Sequence, residues 1–70
     1  MTEEEAIATA NEAAEAAGAI LADFNGPKAR REEGRGEWVV FYQGKKLLVG
    51  NHFMVVVDDG TGQVRLVPGA

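Results

Sequence analysis

Residues 52–58 read HFMVVVD, and the unbroken apolar run at their centre decides the fold. A strand with one face on a core and the other in water alternates apolar and polar residues, because successive side chains point to opposite faces. This run does not alternate. Read as a strand, it places Phe53, Val55 and Val57 on one face and Met54 and Val56 on the other. Both faces of the sheet that holds it are therefore apolar, and each needs a cover.

The neighbouring segments supply the rest of the sheet. EWVVFYQ (37–43) is rich in the β-branched and aromatic residues that fit a pleated surface. Trp38, Val40 and Tyr42 share one face; Val39 and Phe41 share the other. GKKLLVGN (44–51) joins the two strands, with room for a short strand at Leu47–Val49. After residue 58, DDGTG holds the residues that tolerate tight turns, so the chain reverses and QVRLVP returns as the last strand, over about 63–67. Upstream, AILADF (19–24) is rich in large apolar residues and the charged PKARREEGRGEW reads as an edge strand turning into the next one, which together predict a strand over about 19–33, whose charges discourage unwanted pairing.

The amino-terminal segment TEEEAIATANEAAEAAG has helical character. Thr2 and Glu5 have capping-box spacing, and Glu3, Glu4 and Glu5 lie where the helix dipole favours negative charge. Ile7, Ala10, Ala14, Ala17 and Leu21 form an apolar stripe of mostly small residues, suited to close approach to a sheet. The helix stops either at Gly18, acting as a C′ glycine, or at the breakers Gly26 and Pro27 that follow Phe24. The loss of Glu/Ala composition after Gly18 favours the first, a helix over about 2–18. The expected architecture is a single α+β domain over residues 1–70: one helix packed on an antiparallel meander of about four strands.

A lone helix covers one face of such a sheet. The other is buried either by the 18–33 segment or the Leu47–Val49 loop folding across it, or by an intermolecular contact. Burying a Val or Phe contributes about 1.5–3 kcal/mol, and a contiguous exposed patch marks an interface. A 70-residue chain buries only about 60% of its unfolded surface, so self-association would also support the fold. Trp38 and Tyr42 read as core packing against the helix.

Composition narrows function by exclusion. Eleven acidic against seven basic residues give a net charge of −4, contrary to nucleic-acid binding, which neutralises phosphates. No window approaches a membrane span, and MTEEEA is acidic where a secretory signal is basic, which implies a cytoplasmic protein. Cysteine and serine are absent and His52 is the sole histidine, so no triad or paired-histidine metal site can be assembled. Asp59 is followed by Gly60 rather than Thr or Ser, which removes an aspartic-protease reading. No phosphate loop or dinucleotide fingerprint is present. The expectation is a non-enzyme without cofactor or metal.

The pattern GEWVVFYQGKKLLVGN followed by VVVDDGTGQVRLV resembles the immunity protein 35 family of small bacterial proteins assigned as antidotes to toxins. The matching positions are Trp38 to Gln43, Lys45, Gly50, Asn51, Val57, Asp58, Thr61, Gly62 and Val64. A weaker likeness runs to PepSY and cystatin-like helix-plus-sheet modules. The family's connection before GN is longer and often acidic; here it is short. The resemblance implies a protein that binds a partner, a toxin, and inhibits it by occlusion. The alternative is a structural or self-associating module, a homodimer, of idealised sequence. Candidate contact residues are Val39, Phe41, Met54 and Val56 on the second sheet face, with Lys45, Lys46 and His52 in and after the connection.

Overall fold

The computed structural model describes residues 1–46 and 51–69. Helix α1 runs over Glu3–Ala16. Its start is the capping box read from the sequence: the Glu5 amide donates to Thr2 Oγ1 at 3.2 Å, and the Thr2 amide donates to Glu5 Oε1 at 2.8 Å. Its end is a Schellman motif. Gly18 has φ 97°, its amide donates to the Glu15 carbonyl at 2.9 Å, and the Ala19 amide donates to the Ala14 carbonyl at 3.0 Å. A positive φ strains any residue with a Cβ, so glycine fixes this stop and the continuation to Phe24 does not occur.

The edge strand expected over 19–33 is confined to β1, Lys28–Glu32. Residues 19–27 are instead a non-strand segment with a 3-10 turn at Leu21–Asp23. The large apolar residues that suggested a strand do pack on the core: Leu21 and Phe24 both rest against it. They pack on the helix side. Phe24 meets the Phe53 ring edge-on at 5.1 Å and the Tyr42 ring at 6.5 Å. This segment therefore finishes the face that α1 covers and does not cross the other one. Leu47–Val49 lies outside the described residues.

Strands β2 (Glu37–Gln43), β3 (His52–Asp58) and β4 (Val64–Pro68) complete an antiparallel meander in the order β1-β2-β3-β4. The last strand is thus one residue later than expected. The turn between β3 and β4 explains the offset. Asp58 Oδ1 accepts from the amides of Gly60 and Thr61 at 2.8 and 2.9 Å. Gly62, at φ 76°, donates to the Asp58 carbonyl, while the Asp58 amide donates to the Gln63 carbonyl. Gly62 and Gln63 together oppose Asp58, which is a β-bulge with glycine in the left-handed position.

The core lies between α1 and the inner sheet face. Ala6, Ala10 and Ala14 are fully buried, as are Val40, Val55 and Val57. The contact stripe is rotated from the expected one: Ile7 is half-buried, Ala17 is exposed, and Leu21 lies beyond the helix. Tyr42 stacks on Phe53 at 4.5 Å between centroids, and its hydroxyl donates to Asn11 Oδ1 at 2.6 Å. Burial pushes the Tyr42 phenol up to about 12. Among the described residues, no helix is long and apolar enough to cross a membrane.

Candidate binding face

Strand register fixes what the second face presents, because directly opposed residues project to the same side. One row across the sheet is Lys28, Phe41, Met54 and Val67. The next is Arg30, Val39, Val56 and Arg65. Then come Glu32, Glu37 and Asp58 at one end, and Gln43 with His52 at the other. The face therefore has an apolar centre of five side chains (Val39, Phe41, Met54, Val56, Val67) with basic residues along both edge strands and carboxylates grouped at one end.

Val56 is only 7% exposed, although no described element lies over this face. Its neighbours within the sheet are bulky. Val39 and Arg65 flank it directly, and Arg30 stands beyond Val39. Arginine stems are apolar and can lie along such a surface while the guanidinium stays in water. A shallow depression of about 340 Å³ remains, lined by Arg30, Arg65, Val39, Met54, Val56 and Val67 among others. Among the described residues, then, the neighbours of the non-alternating run on this side are side chains of the sheet itself, with arginines on both edge strands.

The arginines differ in their partners. Arg30 reaches Glu32 Oε1 through Nη2 at 2.8 Å and Nε at 2.9 Å, an exposed pair of little energetic consequence. Arg65, Lys28 and Arg35 have no ion-pair partner among the described residues.

Of the residues singled out from the sequence, Val39, Phe41, Met54 and Val56 come together on this face. His52 is contiguous with them, its ring 5.8 Å from the Phe41 ring. Lys45 and Lys46 are not on it. They are exposed at the end of β2 and line a separate depression with Ala22, Asp23 and Asn51. Arg65 and Val67 belong to the face and were missed, since their parity depends on the bulge at Gly62 and Gln63.

His52 stands opposite Gln43 and beside Phe41. Among the described residues no group of three His, Cys, Asp or Glu side chains is placed to hold a metal ion. Asp58 and Asp59 are tied into the turn. Hydrogen bonds from the Thr61 and Gly60 amides hold the Asp58 carboxyl below the usual carboxylate range. The Met1 amino group, the Trp38 indole N–H and the Arg31 guanidinium do the same for Asp59. Comparison with known proteins finds no matching family model, no matching curated protein and no matching solved structure.

Proposed function

We propose that this chain is a non-catalytic protein-binding domain that meets its partner with the helix-free sheet face. The observation that carries the reading is the Val39–Val56 row, apolar at its centre and flanked by Arg30 and Arg65, with no described element across it. A complementary partner surface has apolar side chains ringed by carboxylates. Desolvating the valines drives association, and the arginines steer and orient it. The resemblance to immunity protein 35 supplies the partner class, a toxin inhibited by occlusion, and rests on the residues quoted for it.

The test is co-expression with the product of the gene adjoining this one. Rescue of cell growth by the chain, abolished by Met54→Lys with the melting temperature retained, supports the proposal. Continued killing in the presence of the chain, or rescue that Met54→Lys and Val39→Glu leave untouched, overturns it.

A further inference from the structure

The two edges of the sheet are built differently. β1 follows Pro27 and consists of Lys28, Ala29, Arg30, Arg31 and Glu32, the charged kind of edge that resists pairing. β4 consists of Val64, Arg65, Leu66, Val67 and Pro68. Val64 and Leu66 are among the few large apolar residues that are exposed, at 42% and 40%, and both lie on the helix side of the sheet beyond the buried Val57 and Val55.

Their backbone points outward as well. The Asp58 amide donates to the Gln63 carbonyl, so Asp58 and Gln63 form a hydrogen-bonded position. Positions along an antiparallel ladder alternate. Arg65 and Val67 therefore bond to Val56 and Met54, while the N–H and C=O of Val64 and Leu66 and the C=O of Pro68 face away from β3.

We propose that β4 pairs antiparallel with β4 of a second copy, about a two-fold axis through Leu66, joining two sheets into one. Only outward-facing positions can pair, which leaves few registers. Centring on Leu66 sets the two Leu66 residues opposite each other and Val64 opposite Pro68 of the other copy. The Leu66 backbones exchange N–H···O=C bonds, and each Val64 N–H reaches the opposing Pro68 carbonyl. Proline lacks a donor, so the Val64 carbonyl is left to water. On the helix side Val64, Leu66 and Pro68 of both copies meet without a charge among them. On the other side Arg65 faces Val67, never the second Arg65. Shifting the axis to Arg65 would oppose the two arginines and lose this match. The pairing also makes the helix-free face continuous across both copies, and it stands independently of what that face binds.

The experiment is sedimentation of the intact chain over a range of concentrations, with Leu66→Lys and Leu66→Cys variants. Leu66 is exposed, so both substitutions leave the core alone. The expected result is a dimer whose dissociation constant rises about tenfold or more in Leu66→Lys, the loss of one buried apolar side chain per copy. The chain has no cysteine, and directly opposed Cβ atoms lie about 4.5–5.5 Å apart, beyond the usual disulfide span but within reach of a short bifunctional thiol reagent, so Leu66→Cys should cross-link with such a reagent while Ala29→Cys on β1 does not. A monomer at every concentration overturns the proposal. So does a dimer indifferent to Leu66→Lys, or one broken instead by Val39→Glu.

Discussion

The Trp38 indole N–H donates to Asp59 Oδ1 at 3.1 Å, tying the start of β2 to the turn that follows β3. Arg31, opposite Trp38 in the sheet, reaches Asp59 Oδ2 at 3.0 Å and lies 6.0 Å from the indole centroid. The Asp59 amide in turn donates to the Gly36 carbonyl at 2.9 Å. One carboxylate thereby joins three strands at the end of the sheet remote from the Phe24 cluster. It lies at the same end of the sheet as Glu32, Glu37 and Asp58.

This arrangement predicts an acid-sensitive contribution to stability. The folded-state pKa of Asp59 is depressed by its donors, so it lies below the unfolded value. The carboxylate's contribution is then fully present above the unfolded value, about pH 4, and is lost as pH falls through the lower folded value. Asp59→Asn should lower the melting temperature at neutral pH and flatten its decline below about pH 4. Thermal scans of both proteins across that range check it; parallel pH profiles would count against a role for the charge.

Tyr42 predicts the opposite dependence at alkaline pH. Its raised pKa means that the folded state holds the phenol proton more tightly, so stability is present below the unfolded value, about pH 10, and lost as pH rises toward about 12. Absorbance titration should show Tyr42 ionising together with loss of near-ultraviolet circular dichroism. Tyr42→Phe removes the bond to Asn11 Oδ1 and should cost about 1 kcal/mol.

Much of this fold is legible because its signals are local. Thr2 with Glu5, and Gly18, fix both ends of α1 through side-chain and backbone chemistry within a turn of the helix. The β-branched and aromatic residues of 37–43 and 52–58 set β2 and β3, and their parity sets which valines face away from α1. What fails is non-local. Ile20, Leu21 and Phe24 read as strand because large apolar residues signal burial, yet Ile20 is exposed, and Leu21 and Phe24 reach the core from a non-strand segment, Phe24 against Tyr42 and Phe53. Arg65 and Val67 could not be assigned to a face because one extra residue in the bulge inverts the side to which every residue of β4 points. The proposed partner chemistry likewise needed the register that places Arg30 and Arg65 beside Val39 and Val56.

Gly44 gives a prediction at the other end of the sheet. It is buried, and a Cβ there would overlap the Asn51 side chain. Asn51 cannot yield without losing its hydrogen bond to the Lys46 carbonyl, made at 2.6 Å. Gly44→Ala should destabilise by about 1–3 kcal/mol, the usual range for overpacking. Adding Asn51→Gly, which removes the overlapped side chain, should recover part of the loss. Denaturant unfolding of the single and double variants measures it.

Val55 and Val56 are neighbours in β3 with nearly equal exposure, 0% and 7%, but their covers differ. Val55 lies in the cluster that includes Ala10, Val40 and Tyr42, where a lost methyl pair leaves a cavity the packed helix cannot fill. Val55→Ala should cost about 2–3 kcal/mol, transfer loss plus cavity. Val56 lies between Val39 and Arg65, with no described element over them. Mobile side chains there can settle into the space, so Val56→Ala should cost less than about 1.5 kcal/mol. Equal losses in urea unfolding would mean that a rigid layer covers the second face in solution. A ratio near two or more would show that side chains alone shelter it, leaving the face open to a partner.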